Sequence, residues 1–135
     1  NPRRRDLFST HFARQVVEIE RGQRHILLHG NLDSVRTLMD VRDACSAYWE
    51  VLSCPPGEVY NIGGETTMTV GEFLNTLKAC SQKDIISRAD PALMRPTDVT
   101  LQIPDTTKFR KATGWQPRYS LDESVAHLMS ECRKT

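Results

Sequence analysis

Apolar side chains recur at the three- and four-residue spacing of an α-helix in several stretches of the chain. In the first stretch, a stripe that includes Phe12 and Val16 is followed by Gly22, a typical C-terminal cap. Proline, glycine and capping residues delimit the other stretches in the same way. The predicted helices cover residues 9–21, 43–52, 70–81, 106–113 and the segment from 120 onward.

Short runs of β-forming residues lie between these helices. The predicted extended segments are residues 25–29, 36–41, 58–63 and 84–88. Segment 58–63 reads "EVYNIG" and runs into the pair Gly63-Gly64, while segment 25–29 ends at the turn Gly30-Asn31. About five helices alternating with short strands predict a mixed α/β fold, with residues 1–135 as a single domain.

Hydroxyl and carboxylate residues mark several helix starts. Thr69 with Glu72 and Ser120 with Glu123 have the capping-box spacing, in which each side chain satisfies a free backbone amide. Asp105 is a plausible cap for the helix at 106–113. Asp40 and Asp43 lie three residues apart without a neighbouring base or nucleophile, so caps are favoured over an acid/base pair.

Composition narrows the class of protein. A chain of 135 residues with 39% hydrophobic content suits one core. The 18 Lys+Arg against 17 Asp+Glu give a net charge of +1, which argues against a nucleic-acid partner. No apolar run approaches the roughly 20 residues needed to span a bilayer, so we expect a soluble protein with no membrane partner. Because the sequence begins at Asn1 without methionine, we expect it to start partway through a longer gene product.

The spacing of cysteine and histidine argues against a metal site. The four cysteines form no CxxC pair, and the four histidines form neither HxxxH nor HExxH. We therefore expect no metal ligands, and reduced, partly buried thiols. The cysteines are Cys45, Cys54, Cys80 and Cys132.

Patterns that would mark a cofactor loop or a catalytic group are also missing from this sequence. Gly63-Gly64 is followed by Glu65 and Thr66, which matches neither GxGxxG nor GxxxxGK[ST]. A plain turn is the better interpretation, since glycine is the usual residue at positive φ. No tyrosine has a lysine four residues later, so no catalytic residue is predicted.

Arginine supplies the best candidates for binding. Arg3 to Arg5 follow a proline, Arg36 lies just after a turn, and Arg95 lies in a proline-flanked loop. A guanidinium can bind two phosphate oxygens at once, which suits a diphosphate. On residue types alone, however, solvated surface charge explains these arginines better.

From Pro2 to its end, the chain resembles the C-terminal part of the GDP-mannose 4,6-dehydratases and the related GDP-4-keto-6-deoxy-mannose reductases. These enzymes belong to the extended short-chain dehydrogenase/reductase superfamily, in which a Rossmann half precedes the substrate-binding half. The matching segments occur in the same order along the chain. They are "PRR" at 2–4, "GNLDSVR" at 30–36, "DVRDACSAYW" at 40–49, "PGEVYNIGG" at 56–64, "DPALMRPTDV" at 90–99 and "TKFRKATGWQP" at 107–117.

The resemblance implies roles for particular residues. Arg4 matches an arginine that reaches the NADP cofactor, and Asn31 and Leu32 match the turn near the guanine-nucleotide site. Arg36 and Arg95 match two arginines that grip the diphosphate of the GDP-sugar. The implied parent is a cytoplasmic enzyme that oxidises the sugar at C4, eliminates water across C5 and C6, and returns the hydride to C6.

Two departures from the family pattern limit this interpretation. Thr37 and Leu38 stand where the dehydratases usually carry aspartate and an aromatic residue, which leaves a reductase or another nucleotide-sugar epimerase or dehydratase open. The chain has no GxxGxxG and no YxxxK, so we expect it not to catalyse by itself. A non-catalytic nucleotide-binding or oligomerisation module is the alternative from another class.

The same resemblance predicts self-association. In this superfamily the "VYNIG" segment tends to lie close to the nucleotide-binding half. The chain alone is therefore expected to expose apolar surface and to form a homo-oligomer.

Overall fold

A computed structural model describes residues 7–95 and 97–135 and contains five α-helices and five short strands within them. A single 3-10 turn, Pro91–Leu93, follows the fourth strand. The elements in chain order are α1 (Phe8–Glu20), β1 (Leu27–His29), β2 (Val35–Leu38), α2 (Val41–Val51), β3 (Thr66–Thr69), α3 (Val70–Ala79), β4 (Ser87–Ala89), β5 (Leu101–Gln102), α4 (Thr107–Thr113) and α5 (Leu121–Lys134).

The strands form two small sheets. β1 pairs in parallel with β4, while β2 lies between β3, to which it is antiparallel, and β5, to which it is parallel. The connection from β1 to β2 therefore runs beside the connection from β4 to β5. This topology brings residues 30–34 next to residues 90–95 and 97–100, which are distant in sequence.

Three helices enclose the main core. α1, α3 and α5 contribute side chains that are almost fully buried, among them Val16, Leu77 and Met129. Burying one such side chain stabilises the fold by about 1.5–3 kcal/mol. A second, smaller cluster joins α2 to α4 through Ala47, Phe109 and Trp115.

The helix predictions are confirmed to within two residues at each predicted end. Thr69 Oγ1 accepts from the Glu72 amide at 3.0 Å, and the Glu72 carboxylate accepts from the Thr69 amide at 2.7 Å. The second capping box, at Ser120 and Glu123, has the same reciprocal bonds. At α4 the N-cap position is Thr106, one residue after the predicted Asp105, but Asp105 does accept from the Thr107 amide at 2.9 Å. None of the helices in the described residues is long and apolar enough to cross a membrane.

Segment 58–63 is not a strand, contrary to the prediction. It pairs with no strand within the described residues, and Val59 is 79% exposed. Its backbone is partly satisfied by Lys108, whose Nζ donates to the Val59 carbonyl at 3.0 Å. Tyr60 and Ile62 still point toward the smaller cluster while the residue between them is exposed. The side chains therefore alternate as in a strand, but the hydrogen bonds to a neighbouring strand are missing.

The strands themselves are shorter than predicted or were missed. The predicted extended segments at 25–29, 36–41 and 84–88 correspond to β1, β2 and β4, and the second ends early because Asp40 begins α2. β3 and β5 were not predicted. Both are very short and become strands only by pairing with β2.

The structure gives a different reason for glycine at the pair Gly63-Gly64 from the positive φ that was predicted. Positive φ occurs at Gly22, Gly57 and Gly114, and not at this pair. A Cβ built on Gly64 would lie 1.9 Å from the carbonyl oxygen of Leu38. Glycine is required here because two backbone segments cross in close contact.

Candidate functional site

The candidate site lies where the two parallel connections touch. The Asp90 amide donates to the His29 carbonyl at 2.9 Å, which joins the start of the second connection to the end of β1. A Cβ on Gly30 would lie 2.4 Å from the carbonyl oxygen of Leu93, so the close approach depends on a glycine. The predicted binding residues Asn31 and Arg95 follow directly on these two segments.

Asn31 is held in one orientation by bonds at both ends of its amide. Its Oδ1 accepts from the Asp33 amide at 2.9 Å, which closes an Asx turn. Its Nδ2 donates to Ser34 Oγ and to Asp98 Oδ2, each at 3.1 Å. The turn that the sequence predicts here therefore also reaches across to the second connection.

Asp98 is the centre of the cluster. Ser34 Oγ donates to its Oδ2 at 2.6 Å, and Arg36 Nη2 donates to its Oδ1 at 3.3 Å. The Ser34 hydrogen bond, followed by the Asn31 hydrogen bond and the charges of Arg36 and Arg95, lowers the pKa of Asp98. The carboxylate is therefore ionised at neutral pH and neutralises the guanidinium beside it.

Arg36 is fixed on the central strand of its sheet. It lies on β2, and its Nη1 donates to the Val35 carbonyl at 2.9 Å while Nη2 reaches Asp98. The side chains of Arg36 and Asp98 are 18% and 24% exposed, so the ion pair is largely covered but keeps some contact with solvent.

The structure brings most of the predicted site residues together. Asn31 and Arg36 both contact Asp98, and the charge of Arg95 acts on the same carboxylate from an exposed position. Leu32 differs, because its side chain packs against the main core and its carbonyl accepts from the Gly71 amide at 2.9 Å. The predicted cofactor contact, Arg4, lies outside the described residues.

Sequence reasoning missed Ser34 and Asp98. Both lie in segments that carry the family resemblance, "GNLDSVR" and "DPALMRPTDV". They form no recognisable motif together, because 64 positions separate them along the chain. Only the parallel pairing of the strands brings them into contact. The one signal in the sequence that could have identified Asp98 is its position three residues after Arg95.

A separate cleft of about 460 Å³ opens between the start of α2, residues 64–66 and the first turns of α5. Four carboxylates line it, and each is already engaged. Asp40 pairs with Arg42, and Asp43 accepts from the amides of Arg118 and Tyr119 at 3.0 and 3.2 Å. The other two, Glu65 and Glu131, pair with Arg110 and Lys134.

These contacts decide between the two interpretations of the aspartates on α2. Asp40 Oδ1 accepts from the Arg42 amide at 2.8 Å, which is the bond of an N-cap. Asp43 is buried and ties α2 to the loop before α5. The predicted cap is confirmed for Asp40 and is wrong for Asp43, which lies within the first turn of α2 and bonds the loop before α5 instead.

Comparison with known proteins is decisive for the family. The sequence profile described as GDP-mannose 4,6 dehydratase matches residues 1–128 of the chain. The chain belongs to this family. The match confirms the resemblance carried by the ordered sequence segments.

Two relatives illustrate the range within and around the family. The chain is 29% identical over 121 residues to a GDP-6-deoxy-D-mannose reductase of Pseudomonas aeruginosa, covering 88% of this chain and 40% of that protein. It is 28% identical over 149 residues to a human GDP-mannose 4,6 dehydratase, covering 96% of this chain and 40% of that protein. The chain thus spans about 40% of the length of these relatives.

Solved structures give the same picture of the fold. The structure of RMD from Pseudomonas aeruginosa complexed with NADPH matches with a TM-score of 0.89 at 25% identity, over 98% of this chain and 44% of that one. A Thermotoga maritima UDP-glucose 4-epimerase with UDP-glucose matches with a TM-score of 0.79 at 26% identity, over 99% and 41% of the two chains. The mixed α/β prediction is confirmed.

Proposed function

We propose that residues 1–135 form the nucleotide-sugar-binding part of a GDP-sugar enzyme, in which Arg36 and Arg95 hold the diphosphate. The observation that carries this proposal is the convergence of three predicted binding residues on one small region. Asn31, on the first connection, and Arg36, at the start of β2, both contact Asp98, and Arg95 lies three residues before Asp98 on the second connection. Membership of the GDP-mannose 4,6 dehydratase family supplies the class of ligand.

The geometry suits a ligand with two adjacent phosphates. Arg36 is anchored on a strand, while Arg95 lies exposed on the neighbouring loop. Two guanidiniums from separate segments can each bind one phosphate and so fix the direction of the ligand. The turn at Asn31 and Leu32 is the proposed neighbour of the guanine base, and the hexose then extends away from it.

The chemistry proposed for the whole enzyme needs groups that this sequence does not carry. NADP supplies hydride transfer when it is bound, and Arg4 is the one residue here proposed to contact it. The sequence contains neither the GxxGxxG loop nor the YxxxK pair. The proposed contribution of the described residues is therefore to bind the nucleotide sugar and orient it, not to move its protons.

Two parent activities have specific support. The family profile favours a GDP-mannose 4,6-dehydratase, which is the main proposal. The Pseudomonas reductase relative and the departures at Thr37 and Leu38 favour a 4-keto-sugar reductase as the second candidate. GDP-mannose and NADP separate them in a protein that spans the relatives' full length, since only a dehydratase forms the 4-keto-6-deoxy product.

Titration of the 135-residue chain with GDP tests the diphosphate site. We expect Arg36→Ala and Arg95→Ala each to weaken GDP binding by about 10-fold or more, since charge-assisted hydrogen bonds contribute about 1.5–3 kcal/mol. Isothermal titration calorimetry, or NMR shifts where affinity is low, measures the change.

Arg24→Ala is the matched control for this titration. Arg24 is paired with Glu18 and precedes β1, whereas Asn31 follows the other end of the same strand. Its loss removes one positive charge without touching the site and should leave GDP affinity within about 2-fold, as expected for a screened surface charge. Absence of GDP binding by the wild-type chain, or unchanged affinity in both site variants, contradicts the proposal.

We also propose that the chain self-associates through the outer face of α2. Val41, Tyr48, Trp49 and Leu52 lie on this face at helical spacing and are all exposed. Apolar patches of this kind are usually covered by a partner. When the chain is alone in solution, the partner that can cover this face is a second copy of the same chain.

A further inference from the structure

The proposed anion site already contains an anion. Arg36 and Asn31, which we assign to the nucleotide sugar, both donate to the carboxylate of Asp98. Arg95 also interacts with it electrostatically. A diphosphate that binds Arg36 must therefore share this guanidinium with Asp98 or displace it.

The bonds to Asp98 are unequal, and the inequality indicates which one can be exchanged. Oδ2 is held by Ser34 at 2.6 Å and by Asn31 at 3.1 Å. Oδ1 is bound by Arg36 at 3.3 Å, the longest of the three contacts. The carboxylate would therefore stay in place on Ser34 and Asn31 if Arg36 turned to another anion.

We propose that Asp98 is an internal counter-ion that holds Arg36 before the ligand arrives and gives up this guanidinium to a phosphate oxygen when the diphosphate binds. This inference rests on the proposed function. The exchange keeps a largely covered cation neutralised at all times, which avoids leaving an unpaired charge. It also disfavours singly charged anions, because only a ligand with greater charge competes well with a fixed carboxylate.

Inorganic pyrophosphate is the probe that tests the exchange, because it contains the diphosphate without base or sugar. Asp98→Asn removes the competing charge while its amide oxygen can still accept from Ser34. We expect this variant to bind pyrophosphate about 2- to 5-fold more tightly than the wild-type chain, as estimated from the energy of a partly exposed ion pair.

Asp33→Asn is the matched control, since it makes the same change at an exposed neighbour of Asn31. We expect it to alter pyrophosphate affinity by less than Asp98→Asn does. Equal affinity in the two variants, or binding by Asp98→Asn that is no tighter than wild type, overturns the proposed exchange. If the wild-type chain binds neither pyrophosphate nor GDP, the proposed function is overturned, and the exchange with it.

A measurement without ligand tests the first half of the proposal separately. Unfolding of Arg36→Gln, Asp98→Asn and the double variant forms a double-mutant cycle. We expect the double variant to lose less stability than the sum of the two single losses, because both substitutions remove the same ion pair. Additive losses show that the pair is not formed in solution and overturn the counter-ion role.

Discussion

Single residues of this protein act through contacts that their sequence neighbours do not reveal. Gly30 and Gly64 each permit a backbone crossing, with Leu93 and Leu38 respectively. Asp98 gains its role from Ser34 and Arg36, which lie more than 60 positions earlier. The type of each residue can be read from the sequence, whereas its role depends on the residues that the fold places in contact with it.

Gly64→Ala tests the crossing at the residue scale. The added methyl would lie 1.9 Å from the Leu38 carbonyl oxygen and 2.9 Å from its carbon, and both are backbone atoms that cannot rotate away. We expect the free energy of unfolding to fall by about 1–3 kcal/mol, the usual cost of forced overpacking. Chemical denaturation followed by circular dichroism measures this change.

Gly71→Ala is the control for this substitution. A Cβ at Gly71 would meet Leu32 at 3.4 Å, an ordinary van der Waals distance, near the start of α3. We expect no loss of stability, since alanine is the better helix former. Equal stability of Gly64→Ala and the wild type would show that the backbone crossing is looser than the structure has it.

At the scale of elements, the helices follow local signals while the strands follow their partners. The start of α2 shows the first case clearly. Asp40 caps the helix, accepts from both Arg42 Nε and Nη2, and is 3% exposed at its side chain. The Arg42 guanidinium also lies 3.5 Å from the centre of the Tyr119 ring, which links α2 to the chain just before α5.

The Asp40 cap predicts a specific acid sensitivity. The hydrogen bonds from Arg42 lower the pKa of Asp40 well below its usual range, against the opposing effect of burial. The folded state therefore binds fewer protons than the unfolded state below about pH 4, the usual aspartate pKa. The contribution of this cap to stability is complete above that pH and is lost as the pH falls toward the lower folded pKa.

We expect Asp40→Asn to reduce stability at pH 7 and to flatten the decline between about pH 5 and pH 2. Urea denaturation at a series of pH values measures both effects. Asp122→Asn, at an exposed position of α5, should keep the wild-type pH dependence. A pH profile for Asp40→Asn that runs parallel to the wild-type profile would mean that Arg42 does not lower the pKa of this carboxylate.

At the scale of the whole molecule, the outer face of α2 is an apolar surface that the fold leaves uncovered within the described residues. Trp49 and Leu52 are 74% and 75% exposed, and Val59 on the following segment is 79% exposed. The inner face of the same helix packs Ala47 against Phe109 and Trp115. α2 is thus apolar on two faces, which is typical of a helix with neighbours on both sides.

Self-association through this face is testable by sedimentation. We expect the wild-type chain to form a dimer or larger species as its concentration rises, and Trp49→Glu combined with Leu52→Glu to shift it toward monomer, because buried charges disfavour the contact. Ile86→Glu makes a similar change at an exposed residue before β4 and should leave association unchanged. A wild-type chain that stays monomeric at high concentration contradicts the proposal.

The sequence by itself determined the five helices, the two capping boxes and the family, because these depend on local spacing and on short segments in a fixed order. It also identified Arg36 and Arg95 as candidates. The tertiary structure alone decided β3, β5 and the loss of the strand predicted at 58–63, since β3 and β5 form by pairing with the distant β2 and segment 58–63 has no partner strand in the described residues. For the same reason only the fold could bring Ser34 and Asp98 to the arginine, where two parallel pairings place their connections side by side.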